Sequence, residues 1–451
     1  MATAADRLAS NISLSTFGKA TDLKKRLLFT LGALIVFRLM SFVPLPGIDP
    51  QALEVLFNQT RGGVLDYVNT FSGGALERMS VIALNIMPYI TASIIVQLMS
   101  SIHEPWKALK KEGEAGRKKL NQYTRMGTVF LTAVQGYGIA VGLENWGGGQ
   151  SAVIDPGMFF RITTVITLIG GTLFLMWLGE QITSRGIGNG ISLIIMAGIV
   201  ATMPSAFAGL FEQARTGAIS GGMLVLILLG ALALIAFICH MERAQRRILI
   251  QYPKRQVGNR MFQGDSSHLP LKINTAGVIP PIFASSLLLM PLTLAQFMGQ
   301  EGGPDWLISV TTALQHGAPL FMALYAAGII FFAFFYTAVV FNPEETADNL
   351  KRYGGFIPGR RPGQQTAQYL DYVLTRLTVV GAAYLTFVCL VPEFLQGGGQ
   401  AGLALLFGGT SLLIVVNVTM DTVSQIQSHL LAHQYEGLTK KAKLRGGGVR
   451  R

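Results

Sequence analysis

The chain is 451 residues long, half of them hydrophobic and only 13% charged, with a mean hydropathy of +0.45. That composition excludes an ordinary water-soluble enzyme or binding domain. A formal charge of +12 would fit a nucleic-acid binder, but its placement argues otherwise: of the 36 Lys and Arg, all but Arg38, Arg61, Arg78, Arg161 and Arg215 fall in alternate connections between apolar runs.

Ten such runs lie near 27–43, 81–102, 126–143, 162–178, 191–211, 222–241, 276–298, 318–341, 377–395 and 402–423. A helix rises about 1.5 Å per residue, so about 20 apolar residues cross a hydrocarbon core of about 30 Å. Backbone groups in lipid must bond internally, which leaves helices or a closed barrel. The runs are continuous rather than alternating with period two, and that selects helices. The fold class is therefore an all-α polytopic membrane protein with ten transmembrane helices. Its basic connections are 1–26, 103–125, Arg185, 243–272, 351–376 and 440–451, so the positive-inside rule places them and both termini in the cytoplasm.

The first 26 residues carry Lys19, Lys24, Lys25 and Arg26 ahead of span 1, whose apolar run ends in Phe42-Val43-Pro44-Leu45-Pro46-Gly47. This reads as a retained helix rather than a cleaved signal. Arg38 lies toward the outer end of span 1, where it is expected to snorkel. After it, Val64, Leu65, Val68 and Phe71 fall on one helical face, Asp66 and Asn69 on others, with Gly62-Gly63 before and Gly73-Gly74 after. Too short and polar to span, this segment is either a helix lying at the interface or a re-entrant piece buried in protein. Spans 2 and 7 carry Pro88 and Pro280, Pro281 and Pro291, expected to break their hydrogen-bond ladders. They also carry Asn85, Thr91, Ser93 and Gln97 in one, and Ser285, Ser286, Thr293 and Gln296 in the other. Such helices suit a wetted, mobile interface and suit ordinary buried packing equally well.

Three basic connections, 103–125, 242–273 and 343–372, are long for loops without a use. They either anchor the chain to anionic lipid or dock a large acidic or polyanionic partner. In 242–273, Arg243, Arg246, Arg247, Lys254, Arg255 and Arg260 interleave with Ile248, Leu249, Ile250, Tyr252 and Phe262, which predicts a folded hairpin. Five spans on either side of the outward connection 212–221 would give two halves of opposite orientation, 1–212 and 213–451, the pattern of an inverted repeat around a central pathway.

Chemistry-bearing constellations are scarce. Glu180 and Asp421 lie at inner ends of spans, and no ionisable pair falls at mid-membrane, which weighs against an ion-coupled transporter. Gly186-Ile-Gly-Asn-Gly190 joins two spans and follows no strand, so it is no dinucleotide loop. His429 and His433 lack a third ligand, and Cys239 and Cys389 read as packing residues. With no nucleophile–base set and no nucleotide loop, the chain is expected to be no enzyme and to need no metal or cofactor. A partner must then supply the energy.

An ordered series of motifs covers nearly the whole chain: Phe71-Ser-Gly-Gly-Ala-Leu76, Ile86-Met-Pro-Tyr-Ile90, Lys110-Lys-Glu-Gly-Glu114, Gly179-Glu-Gln-Ile-Thr183 with Gly186-Ile-Gly-Asn-Gly-Ile191, Tyr252-Pro-Lys-Arg255, His268-Leu-Pro-Leu271, Gly277-Val-Ile-Pro280, Pro358-Gly-Arg-Arg-Pro-Gly363 and Arg376-Leu-Thr378. In these it resembles the bacterial SecY family, the central subunits of protein-conducting channels. The resemblance implies two pseudo-symmetric five-helix halves around an hourglass pore in the bacterial inner membrane. It implies a plug helix at about 64–74, with Val64, Leu65, Val68 and Phe71, and a waist ring of Ile86, Ile90, Ile191, Ile195, Ile282 and Ile414. A lateral gate between spans 2 and 7 would involve Thr91, Gln97, Ser285 and Ser286. The two long loops 242–273 and 343–372 and the tail 426–451 would dock the ribosome and the motor ATPase SecA. Lys254 and Arg255 are assigned to ribosome contact, Arg361 and Tyr435 to motor coupling, and Arg247 to the same surface. Implied membrane partners are SecE and SecG, with SecD, SecF and YidC as accessories, and the implied cargo is signal peptides and nascent membrane proteins.

Overall fold

The computed structural model describes residues 21–59, 69–145, 152–252, 255–257, 260–262, 266–297, 318–396 and 408–446. A helix lies at each of the ten expected spans. In chain order these are α1 (Thr21–Met40), then, after the short α2 (Pro50–Gln59), α3 (Met87–Ile102). A second short helix, α4 (Glu104–Lys111), precedes α5 (Glu114–Asn145), α6 (Met158–Arg185), α7 (Gly190–Arg215), α8 (Gly221–Arg243), α9 (Ile279–Phe297) and α10 (Pro319–Val340). A third, α11 (Pro343–Arg352), leads to α12 (Gln364–Gln396) and α13 (Gly409–Gly446). By length and composition alone, six of the described helices suffice to cross a membrane.

The prolines of spans 2 and 7 correct the expectation of kinks. Pro88 occupies the first turn of α3, and Pro280 and Pro281 the first turn of α9. There the missing N–H would have had no partner anyway, so these residues start helices instead of breaking them. Residues 81–86, expected to be helical, form a turn-rich entry whose Ile82, Ala83 and Ile86 are buried. Of the prolines in these two spans only Pro291 falls in a helix interior, that of α9.

Two of the expected loops are largely helical. In 103–125, Trp106 of α4 stacks on Tyr123 of α5 at 4.9 Å. In 343–372, the Asn342 side chain accepts from the N–H groups of Glu344 and Glu345, acids fill the first turn of α11 and Lys351 and Arg352 its last. Each of those choices complements the helix dipole or an orphan donor. The 242–273 loop is the expected hairpin: β1 (Gln245–Gln251) pairs antiparallel with β4 (Ser266–Lys272), and β2 (Arg255–Val257) with β3 (Arg260–Phe262).

Helices α1, α3, α5, α6 and α7 form one packed group, and α8, α9, α10, α12 and α13 another. Contact between the groups runs along two seams, α9 against α3 and α5, and α13 against α7 and α1, besides the contact of α7 with α8 beside their connection. Glycine sets the closest crossings. A Cβ on Gly190, at the start of α7, would fall on the Gly179 carbonyl of α6. Gly190→Ala is therefore expected to destabilise the protein by about 1–3 kcal/mol through overpacking, seen as a lower unfolding midpoint in detergent. An unchanged midpoint would mean the two helices can part without loss.

Charges pair near the ends of α5 and α6. Arg125 donates from Nη2 to both Glu180 oxygens at 2.7 Å, a half-exposed pair of small energetic worth. At the other end, buried Glu144 accepts from Arg161 at 2.6 Å and from the Gly157 N–H at 2.9 Å. This second pair ties the end of α5 to the start of α6.

Candidate channel waist, gate and docking surface

The six ring isoleucines come from α7, α9, α13 and the start of α3, and all belong to one apolar cluster. Ile86, Ile90, Ile195 and Ile414 are buried, while Ile191 and Ile282 are half-buried against the same cluster. Ile86 caps α3, and its carbonyl accepts the Ile90 N–H at 3.0 Å, so the two side chains lie one above the other. Ile191 is fixed at the first turn of α7, where the Asn189 side chain caps its N–H. Aliphatic groups offer no donors or acceptors, so the cluster repels water and grips nothing polar.

Of the segment assigned to a plug, Val64, Leu65 and Val68 lie outside the described residues. Phe71 is buried in the same cluster as the isoleucines. Residues 69–72 complete a helical turn that ends at Gly73 and Gly74, whose φ values of +69° and +81° favour glycine. Asn69, expected off the apolar face, is buried as well: its side chain donates to Glu77 at 3.2 Å and accepts from the Glu77 N–H at 3.0 Å. Arg38 is also not a snorkelling side chain. Its Nη1 donates to the Gly73 carbonyl at 2.7 Å, and its guanidinium lies over Phe42 beside that of Arg78. A local bond to an unpartnered carbonyl outcompetes hydration at the interface.

At the α3–α9 seam, Thr91 donates to the Met87 carbonyl and Ser285 to the Ile282 carbonyl, each within its own helix. Gln97 donates to Ser93 at 3.3 Å, again within α3. Across the seam Ser286 reaches Met87 Sδ at 4.0 Å, a weak pair. Thr91, Gln97 and Ser285 are thus satisfied within their own helices, and parting the two helices breaks only the weak Ser286 contact.

The basic connections 242–273 and 343–372 form one platform, which sequence reasoning did not foresee. Gln251 and Phe356 exchange both backbone bonds at 2.9 Å, and Ile248, Leu271, Ile357, Leu370, Val373 and Leu374 share a small core. Arg247 is exposed on β1, across from Pro270. Lys254 lies outside the described residues, Arg255 stands in β2 opposite Phe262, and Tyr435 falls within α13. Arg361 is exposed between Gly359 and Gly363, at φ +80° and +105°, and its carbonyl accepts from Thr366 at 2.9 Å. Its neighbour Arg360 instead covers the Tyr369 ring at 5.1 Å.

A buried pair at the base of the hairpin was also missed. Asn274 donates to Glu242 at 2.6 Å, and bonds Gly277 in both directions at 3.1 Å, shaping the turn that enters α9. Each residue alone reads as a polar group at the end of a span, and only the closed hairpin brings them together. Among the described residues no group of three or more His, Cys, Asp and Glu could hold a metal ion, and both cysteines are free thiols.

A helical bundle with an aliphatic centre, a locally satisfied seam and a folded basic platform defines a polytopic channel-type membrane protein. Solved structures share this fold: a protein-conducting channel at TM-score 0.62 and 18% identity, covering 90% of this chain and 92% of that one, and Sec61 in a canine ribosome–channel complex at 0.61 and 17%, with the same coverage. The SecY family model matches residues 80–423. The protein translocase subunit SecY of Escherichia coli strain K12 is 55% identical over 434 residues, 96% of this chain and 98% of that protein. SecY of Vibrio cholerae serotype O1 is 57% identical over 431 residues, 95% and 96% respectively. The chain belongs to the SecY family.

Proposed function

We propose that this chain is the central, pore-forming subunit of a protein translocation channel in the bacterial inner membrane. The observation that carries this reading is the convergence of six isoleucines from four helices into one apolar cluster, in a chain whose relatives are SecY translocase subunits. An unfolded polypeptide cannot cross lipid with unpaired backbone groups, so it needs a wet path. A constriction of aliphatic groups closes that path by dewetting and offers passing backbone no hydrogen bonds. Transmembrane segments of the cargo would leave sideways between α3 and α9, driven by burial of their own apolar surface. The halves 1–212 and 213–451 would be the two sides of the hourglass, with both termini cytoplasmic.

SecE and SecG would complete the channel in the membrane. SecA or the translating ribosome would dock on the platform of Arg247, Lys254, Arg255 and Arg361 and on the tail near Tyr435, and would supply the energy. The chain itself would catalyse nothing. Guanidinium and ammonium groups suit ribosomal RNA phosphate and acidic protein surfaces alike. The decisive test is reconstitution with SecE, SecG, SecA and ATP, scoring protease protection of a secretory precursor inside vesicles. Vesicles that bind motor and precursor yet protect none would refute the reading.

Deleting 64–71 is expected to leave the spans folded, to lengthen channel openings and to relax rejection of defective signal sequences, because the closed state alone loses contacts. Unchanged openings together with unchanged rejection would make this segment a surface helix instead.

A further inference from the structure

The glycine-rich turn 186–190 joins α6 to α7. Such a turn at the start of a helix is a ready anion site when its N–H groups are free. Here side chains from three helices occupy them. The Ile187 N–H donates to Thr30 Oγ1 of α1 at 3.1 Å, and the Gly188 N–H to Gln425 Oε1 of α13 at 2.9 Å. The Gly190 N–H donates to Thr183 Oγ1 of α6 at 2.9 Å. Glycine lets these partners come close. A Cβ on Gly186 would fall on Thr30 Oγ1, and Gly188 combines φ +88° with a Cβ position 3.3 Å from Thr422 Oγ1. Beside the turn, Ile187 shares a small core with Leu23 of α1 and Leu430 of α13.

Gly188 lies three residues before Ile191, whose own N–H the Asn189 side chain caps. On α13, Gln425 follows Ile414 by about three turns, so the two lie on one side of that helix. The Gln425–Gly188 bond therefore joins two helices that each give an isoleucine to the proposed ring. An amide oxygen accepting an N–H at 2.9 Å is also far stronger than the Ser286 contact with the Met87 sulfur at 4.0 Å across the α3–α9 seam. Gly188 is buried, so its N–H depends on that oxygen, whereas Gln425 is otherwise exposed. We propose that Gln425 is a positioning residue for the waist. With Thr30 it holds the turn 186–190, which sets the first turn of α7 and keeps Ile191 in the ring with Ile414. This rests on the waist reading above, and it makes the seal depend on a residue outside the ring.

The test measures resting ion conductance of the full chain with SecE and SecG in planar bilayers. Gln425→Leu keeps a similar size but offers no acceptor. It is expected to raise resting conductance about tenfold, the effect of one buried N–H left without a partner. Gln425→Glu keeps an oxygen at the same reach and should seal as the wild type does. Thr30→Val removes the acceptor for Ile187 and should act like Gln425→Leu, while Thr30→Ser, which keeps the hydroxyl, should seal. Ser424→Leu puts the same leucine at an exposed neighbouring position and should change nothing. In a channel carrying Ile191→Ala, Gln425→Leu should add nothing, since the residue it positions no longer fills the ring.

If Ile86→Ser combined with Ile191→Ser leaks while Gln425→Leu seals, the positioning role is wrong and the waist reading stands. An equal rise from Gln425→Leu with and without Ile191→Ala would place its effect away from Ile191, which also overturns the role. A leak in Gln425→Glu as large as in Gln425→Leu would mean that the acceptor is not what holds the turn, with the same consequence. Should the double serine variant seal, ring and positioning role fall together. If Gln425→Leu does not assemble, Thr30→Val carries the same prediction.

Discussion

Arg361→Glu is expected to abolish motor-driven translocation while the channel still assembles in the membrane. The side chain is exposed, so its loss removes no core contact. Its backbone is held independently, by positive φ at Gly359 and Gly363 and by the bond from Thr366. The loop shape therefore does not depend on the guanidinium, and reversal of charge reports on the partner. Removing one member of a buried interface charge pair costs about 2–5 kcal/mol, enough to leave at most a few per cent of wild-type transport. Arg361→Lys should give an intermediate loss, because an ammonium cannot reproduce the planar fork. A solvated charge facing lipid would tolerate Lys without loss. SecA-dependent transport at the wild-type rate in purified Arg361→Glu channels would remove the coupling role.

The second large effect is expected at the waist. Replacing Ile86 and Ile191 together with serine should raise resting ion conductance strongly, since hydroxyls admit water where isoleucine excludes it. Full burial of Ile86 is worth about 1.5–3 kcal/mol of apolar seal, and half-buried Ile191 adds a smaller share, so the double change exceeds a tenfold shift toward the wetted state. One substitution alone should do less, because its neighbours close around it. Ile194 supplies the control: it is buried in the same cluster but lies outside the ring. Ile194→Ser should lower stability without opening a leak. An Ile86/Ile191 double variant that seals as well as the wild type would disprove the ring.

How much of this was legible in the chain depended on the length scale of the signal. Runs of about 20 apolar residues announce spans wherever they occur, and a helix stands at every expected one. The interleaving of basic with aliphatic and aromatic residues in 242–273 announced a folded hairpin, because a solvated basic tether would not carry so many apolar groups. Proline misled, since the same residue that breaks a helix interior begins a helix, and Pro88 and Pro280 differ from interior prolines only in where the first turn starts. Basic, polar stretches hid α4 and α11, which are held by packing on α5 and α12 and, in α11, by the Asn342 cap.

By itself, then, the amino-acid sequence determined the membrane class, the places of the apolar helices along the chain and the basic loops, because these follow from transfer free energies summed over contiguous residues. The motifs added the family and, through it, the isoleucines of the proposed ring. Tertiary structure alone decided which polar groups meet. Arg38 finds Gly73 across 35 residues, Asn85 finds Phe71 across 14, and Asn274 finds Glu242 across 32. Each is a pair of groups from separate elements, brought within 3 Å by helix packing that no local pattern encodes, and the low dielectric of the interior makes such a pair costly to break.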